Sequence, residues 1–570
     1  MPSMKPVAYS PRVLRLAAPL AALALLVAGG CSTILGFKDT TLTEDGGPGE
    51  GEGGSEAGTP KVSYSPLVLL LRRGNAAGLQ ITFTVNRNGI TGDISASIPD
   101  LPTGVTATPT PLIIPSNQST GTITLKATTS APLGLQNVHF SSQANPSLNT
   151  PLPLFIADSP GTLDTTFGSS GGNVTGVVRS SGAGNGATYD AAFVQSDGSI
   201  LVGGAGANGN GWLLERYLAN GFPDTTFNTN VLAGPQRLPT TGEIRALAVD
   251  STRQKIVCVG LSTPQQQGAF HQMTVVRVRG DGMNDSSIGG GTRYPLGETA
   301  AVVLTSTSIG NAVALDPLLA DGSIFVAGTQ TDVAGNAGVV AHLLQDGSLD
   351  PAFNKGNPIT SLVHSSFIGI APAANGSFVV GGTYEPTISV QDDTFYVARY
   401  SSVTGALDTT FGNNQGLLFG TGFSANGFAA TNNGSFVLVG GFVNNNGGGG
   451  GVSNNYTVGL ASPGDTPQSA LYSSVVATGY PNVSFNSVAV QNDGYIVAAG
   501  SAPNNEARVT RINPNQLALD TTFGSDGSFV ATPGQLPLPT FNAIAIQPDS
   551  HRIVVAGSDA NGAVIYGLWQ

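Results

Sequence analysis

Three groups of residues in this chain invite a chemical reading: a set of repeated aspartates, an acidic loop and a few isolated histidines and cysteines. Asp164, Asp224, Asp350, Asp408 and Asp520 recur at one place in a repeated hexapeptide, as in Leu407-Asp408-Thr409-Thr410-Phe411-Gly412. A carboxylate can hold a metal or move a proton. One that returns in nearly every repeat is more simply structural, accepting backbone N–H bonds in a turn while the nearby phenylalanine wedges into the packing. Glu385, Asp392 and Asp393 share one loop and form the candidate ligand site, suited to a cation such as calcium or to a basic partner. As solvated surface acids they would bind neither.

His139, His271, His342, His364 and His551 show no His-x-x-x-His spacing, so no zinc set is expected. Cys258 lies in an apolar run and reads as a small hydrophobe rather than a nucleophile. Asp250 and Asp316 close strands and could face a central channel, although hairpin-turn roles suit them better. No Gly-rich phosphate loop with a lysine is present, since Gly447–Gly451 is a plain flexible run. No catalytic residue, metal set or cofactor is assigned, with calcium at the acidic loop as the one ion considered.

These residues must be placed by strands. The chain has 570 residues, 78 of them glycine, only 10% charged residues and a formal net charge of −12. An acidic chain without a Lys/Arg cluster is a poor partner for nucleic acid. Short apolar bursts closed by glycine recur seven times, ending at Gly204, Gly260, Gly328, Gly382, Gly440, Gly500 and Gly557, about 59 residues apart. Most follow an Asp-Gly or Asn-Gly pair, which tolerates the positive φ of a tight hairpin. The bursts are continuous rather than alternating, so both faces of each sheet should be covered by neighbours. Each unit reads as a strand, a tight turn, the burst, a variable loop, a third strand, the Asp-containing motif and a fourth strand. Two units carry eroded motifs, at Met283 to Ile288 and around Pro463 to Leu471.

Seven such units over 158–570 predict a seven-bladed β-propeller. The first motif, at Leu163, has no hairpin before it, and the last hairpin, at Asp549 to Gly557, has no motif after it. Residues 163–178 should therefore supply the fourth strand of the last blade and close the ring. The variable loops Leu261–His271, Thr329–Ala337, Thr383–Asp393 and Phe442–Asn455 are where specificity is expected.

The Leu-Asp-Thr-Thr-Phe-Gly and Gln-x-Asp-Gly-x-Ile-x-Val-x-Gly signatures, at this spacing, resemble the delta-60 repeat family of bacterial surface and secreted proteins. That resemblance covers all seven units. It implies a propeller and no known reaction, and it carries over no catalytic residues. Quinone-dependent propeller dehydrogenases resemble one another through a tryptophan in most blades, whereas only Trp212 and Trp569 occur here.

Ahead of the repeats, Lys5, Arg12 and Arg15 precede the apolar run Leu16 to Ala28, which is too short for a stop-transfer helix. With Ala28-Gly29-Gly30-Cys31 it resembles a bacterial lipoprotein signal, which implies that Cys31 is lipidated and becomes the mature N-terminus; Ser32 resembles the pattern sorted to the outer membrane. Residues 31–60 are acidic and Gly-rich, and read as a disordered tether. From 61 to 157 the period falls to two, as in Leu79, Ile81, Phe83 and Val85, giving about seven short strands in a small β-sandwich. The run Ile98 to Ala107 resembles bacterial immunoglobulin-like spacer domains.

The fold class is thus all-β: an immunoglobulin-like β-sandwich followed by a seven-bladed β-propeller closed by its N-terminal strand. The expected function is that of a lipid-anchored cell-envelope protein, an outer-membrane lipoprotein whose propeller binds an unknown protein or glycan without catalysis. The other reading is a propeller enzyme acting on extracellular polysaccharide or peptide.

Overall fold

The computed structural model describes residues 60–570 except 169–175, 181–183, 208–210, 228–240, 264–270, 284, 286–299, 303–306, 317, 319–320, 333–334, 374–375, 386–393, 413–416, 422–423, 432–433, 445–452, 462–470, 476–483, 502–505, 532–538 and 548–550. The signal, Cys31 and nearly all of the tether, up to residue 59, lie outside the described residues. All regular structure is β apart from two short 3-10 turns among the described residues, and no helix there is long and apolar enough to cross a membrane.

Residues 61–157 form nine strands rather than the expected seven. Lys61–Ser65, Leu79–Asn86, Thr120–Ala127 and Val105–Thr108 make one sheet, and Leu69–Arg72, Thr150–Ala157 and Gly134–Phe140 a second. Ile94–Ala96 pairs with Leu112–Ile114. The extra pieces arise because Pro99, Pro102, Pro109 and Pro111 interrupt the ladder donors between them. Alternate residues of each strand turn inward, so Ile81, Phe83 and Val85 share one core with Leu71, Val138, Phe140 and Leu154. Phe83 stacks on Phe140 at 4.0 Å.

Beyond residue 176 the described residues form seven further sheets, one per sequence repeat. Unit one has Thr188–Val194, Ile200–Ala205 and Trp212–Tyr217. Unit two has Thr241–Asp250, Lys255–Thr263, Gln272–Arg279 and Ala300–Val302. Unit three has Ser308–Leu315, Ile324–Asp332, Gly335–Leu343 and Ile359–Val363. Unit four has Ser365–Ala373, Ser377–Tyr384, Thr394–Ser401 and Leu417–Thr421. Unit five has Ser424–Ala430, Phe436–Asn444, Ser453–Ala461 and Leu471–Val475. Unit six has Ser484–Val490, Ile496–Ser501 and Ala507–Asn513, with Ala518–Leu519 and Ser528–Ala531 both paired to its third strand.

Unit seven has Thr540–Gln547, Arg552–Asp559 and Gly562–Trp569, and its fourth strand is Val177–Arg179. The pairing is antiparallel, Val177 opposite Tyr566 and Arg179 opposite Val564, with Leu163 bridged to Leu568. First strands of consecutive units pack together, and that of unit seven packs against that of unit one. Second strands such as Ile200–Ala205 are buried on both faces, as their unbroken apolar runs require.

Two stretches expected to be variable loops are strand at their described residues. Ladder pairing runs out to Asp332 opposite Gly335, inside 329–337, and to Asn444 opposite Ser453, inside 442–455. Thr329, Thr331 and Val443 favour the extended backbone, so the hairpins reach past the buried core.

Every first strand carries a bulge four or five residues before its end, at Asp190, Arg245, Asn311, Ile368, Asn426, Asn486 and Asn542. Facing it is the glycine that closes each burst. A Cβ on any of Gly204, Gly260, Gly328, Gly382, Gly440, Gly500 or Gly557 would lie 1.8–2.1 Å from the first-strand carbonyl oxygen opposite. Only glycine allows that approach. The seven glycines and the seven bulges are therefore one device.

The sandwich abuts unit seven. Phe155 meets Trp569 edge-on at 5.8 Å and His551 at 5.4 Å. Arg72 donates to the carbonyl oxygens of Asp158 and Gln570, and Arg73 pairs with Asp158 at 3.4 Å. Burial, and then the nearby Arg72 charge, push the His551 imidazole down to about 4.

Candidate functional site

The repeated aspartates resolve into a clamp. In Asp164, Asp224, Asp408 and Asp520, Oδ1 accepts from the amide and hydroxyl of the threonine two residues on, as at Thr410 with 3.0 and 2.6 Å. Oδ2 takes a guanidinium from the third strand of the same sheet: Arg216 to Asp224 at 2.7 Å, Arg399 to Asp408 at 2.7 Å, Arg511 to Asp520 at 2.6 Å. The same guanidinium lies over the motif phenylalanine, 4.7–5.0 Å from the rings of Phe227, Phe411 and Phe523. Its remaining nitrogen can staple the next unit, as Arg216 does to the carbonyl of Gly280 and Arg277 to that of Gln345, both at 2.6 Å. The Thr410 hydroxyl, then its amide and Arg399, outweigh burial and hold the Asp408 carboxyl below its ordinary range.

Sequence reading anticipated the turn and the phenylalanine wedge but passed over the arginine. Its signal was present, because a basic residue stands eight or nine positions before Asp224, Asp285, Asp350, Asp408 and Asp520. That offset also recovers a motif that had seemed eroded: Asp285 takes Arg277 at 2.6 Å and Lys255 at 3.0 Å. In unit seven the third-strand position is Gly567, where a Cβ would strike Phe167 at 2.6 Å. Arg552 supplies the guanidinium from the second strand instead, binding Asp164 through Nε at 2.8 Å and also through Nη2.

Unit three departs from this pattern. His342 replaces the arginine, with Nδ1 2.9 Å from Asp350 and Nε2 3.2 Å from Asp316 Oδ2. It is 1% exposed and stacks on Phe325 at 4.4 Å. Nε2 approaches Asp316 without the alignment of a hydrogen bond.

Asp316 brings the clamp to the edge of a cavity of about 610 Å³ at the end of the sheets where first and second strands turn. Its walls are first-strand side chains of four units: Phe193, Leu247, Val249, Val313, Leu315 and Pro372. Asp250, Asp316 and Arg253 stand on the same lining. Both aspartates also hold turns, as expected. Asp250 accepts from the Arg253 amide at 3.1 Å and its guanidinium at 2.7 Å, while Asp316 Oδ1 accepts from the Leu318 amide at 2.8 Å. Turn and cavity roles therefore coexist in each.

At the opposite end the bulged residues lash neighbouring units together. Asn311, Asn426, Asn486 and Asn542 donate through Nδ2 to the carbonyls of Phe367, Phe485, Phe541 and Tyr189, at 2.8–3.3 Å. Ile368 has no amide to give, and Thr383 bonds Ala425 in its place, accepting from its amide at 2.9 Å. Asp190 is the acid of the series. Asn542 donates to it at 2.9 Å and Thr188 at 2.9 Å, yet burial, and then Glu243, push its carboxyl up to about 6.

Glu385, from the predicted ligand loop, is exposed, and its backbone N–H donates to His364 at 2.8 Å. Asp392 and Asp393 lie outside the described residues, as does Cys31. Cys258 is wholly buried, and that burial pushes its thiol pKa up, away from nucleophilic use. Among the described residues no three His, Cys, Asp or Glu side chains gather as a metal set.

Residues 195–227 and 319–353 match the family described as "Domain of unknown function (DUF5122) beta-propeller". Each window runs from the first hairpin turn through the Asp-containing motif, so the chain contains a β-propeller domain of that kind. No curated protein is matched. Among solved structures the chain resembles the C-terminal WD40 domain of Sif2 (11% identity, 67% of this chain and 95% of that one, TM-score 0.34). It also resembles a polysaccharide lyase of family PL25, an ulvan lyase (10%, 67% and 96%, TM-score 0.41), and a glucose dehydrogenase (10%, 68% and 98%, TM-score 0.32).

Proposed function

We propose that this is a lipid-anchored cell-envelope protein whose seven sheets close into a seven-bladed propeller that binds its partner at the cavity on the hairpin end. The observation that carries the binding role is the cavity itself, whose apolar walls come from four units while both of its aspartates are also committed to turns and to Arg253 or His342. A concave, mostly apolar site with a few convergent polar groups is what ligands occupy. General acid–base work needs a carboxyl free to trade its proton, and these two are engaged.

Closure is supported by the pairing of Val177–Arg179 with Gly562–Trp569, the Asp164–Arg552 clamp and the Asn542 lash to Tyr189. The sandwich, with the architecture of an immunoglobulin-like spacer, holds the propeller away from the lipid. Anchoring rests on Cys31 and the apolar run before it, and Ser32 supports sorting to the outer membrane. No cofactor enters this reading, and the acidic charge makes nucleic acid a poor partner.

Two measurements test the reading. Cys31→Ser should move the chain from the membrane to the soluble fraction and remove the mass of the acyl chains. Full-length protein should turn over none of a panel of glycans and peptides, while retention of its envelope partner should vanish when Val313→Trp fills the cavity. Product formation that survives Val313→Trp would end the non-catalytic, cavity-binding account.

A further inference from the structure

The cavity's lining also speaks to the class of ligand, an inference that rests on the binding role just proposed. We propose that it takes an apolar stem ending in a cation, an ammonium or guanidinium carried on an alkyl or aryl body. Phe193, Leu247, Val249, Val313, Leu315 and Pro372 offer nothing to a strongly hydrated group, and the half-buried surfaces of the first five and the exposed ring of Pro372 gain from an apolar one. The charged groups lie to one side, where the first strands of units two and three turn.

There the signs do not balance. Asp250 and Asp316 line the cavity, and Asp321 stands near enough to Arg253 to feel its charge. Against the two carboxylates on the lining, Asp250 and Asp316, it offers one guanidinium, Arg253, already 2.7 Å from Asp250. Deeper in, Lys255 and Arg277 are both taken by Asp285, and His342 shares Asp316 with Asp350. A carboxylate offers about four acceptor sites, and Asp250 is shown using two. The net charge of −12 draws cations toward the whole molecule. An anionic or neutral ligand of the same shape would forgo this attraction and would bury the carboxylates without a counter-charge.

The test uses full-length protein and three probes of one shape: phenylbutylammonium, phenylbutanol and phenylbutyrate, titrated by calorimetry. The ammonium should bind about tenfold or more tightly than the other two. Asp250→Asn should erase that preference while leaving phenylbutanol affinity intact, and Val313→Trp should abolish all binding. Should Asp250→Asn unfold the chain, raising salt on the wild type reads the same charge term, weakening the ammonium alone. A short peptide with a single central lysine separates the sources: binding of the peptide assigns a protein partner, and binding of the free amine alone assigns a small molecule. Equal affinity for ammonium and alcohol, or tighter binding of phenylbutyrate, overturns the cationic assignment while the cavity-binding role stands. Ammonium binding that persists in Val313→Trp overturns the location.

Discussion

The two ends of the stacked sheets are fastened by different chemistry. At the hairpin end the fastening is an ion pair, as in the units of Arg216, Arg399, Arg511 and Arg552: a buried or half-buried aspartate, an arginine and a phenylalanine face, with a nitrogen of Arg216 reaching the next turn's carbonyl. At the bulge end four seams are fastened by a neutral bond, one asparagine amide to one carbonyl. A charge pair removed from water is costly to break because the survivor stays buried, whereas a lost neutral hydrogen bond costs only its modest net value. The hairpin end should therefore fail abruptly when cut, and the bulge end gradually.

The strongest challenge to this contrast is Asp164→Ala, which leaves Arg552 buried at 5% side-chain exposure with the Asp164 counter-charge removed. A loss of about 3–5 kcal/mol in denaturant unfolding is expected, and a loss below that of an asparagine lash would break the comparison. Next is Phe411→Ala, expected to cost about 3 kcal/mol as a buried ring is removed from beneath Arg399. An unchanged melting temperature there would deny the wedge.

Asp190→Asn sharpens the comparison from the other side, since it supplies the amide that this seam lacks. With its carboxyl pushed up to about 6, folded Asp190 holds a proton that the unfolded chain releases near 4. Stability therefore falls as pH rises from about 4 to 6 and is flat above. The variant should be more stable by on the order of 1–2 kcal/mol at pH 8 and should lose that slope. His551, pushed down to about 4, slopes the opposite way over the same range, so wild-type and variant curves must be subtracted. Asn542→Ala should cost about 1 kcal/mol. Smallest of all, Arg399→Ala should cost about 0.5–1 kcal/mol, because that clamp is the more exposed one, at 20% and 29%.

What sequence could and could not reveal follows the same division. The seven glycines were visible as an alignment anchor, yet their reason was not, because a one-residue bulge leaves no trace in an apolar pattern. The aspartates' turn role was legible from Asp-x-Thr spacing alone, since donor and acceptor are two residues apart. The arginines were equally periodic but sit in the third strand while their aspartates lie beyond the following turn, so no period within one element links them. His342 shows the limit of ligand-spacing rules: its partners, Asp316 and Asp350, lie 26 residues before it and eight after it. The cavity could not be read at all, because its walls are drawn from four repeats that only packing brings together.

The strand Val177–Arg179 has its hydrogen-bonding partner in Gly562–Trp569. During synthesis the earlier segment emerges long before the later one exists, so it must wait, unpaired, while the intervening sheets form. Closing so large a loop makes this last registration slow relative to the local hairpins. Unit seven is thus assembled from both ends of the repeat array, and a truncated product would leave an open edge that can recruit another chain.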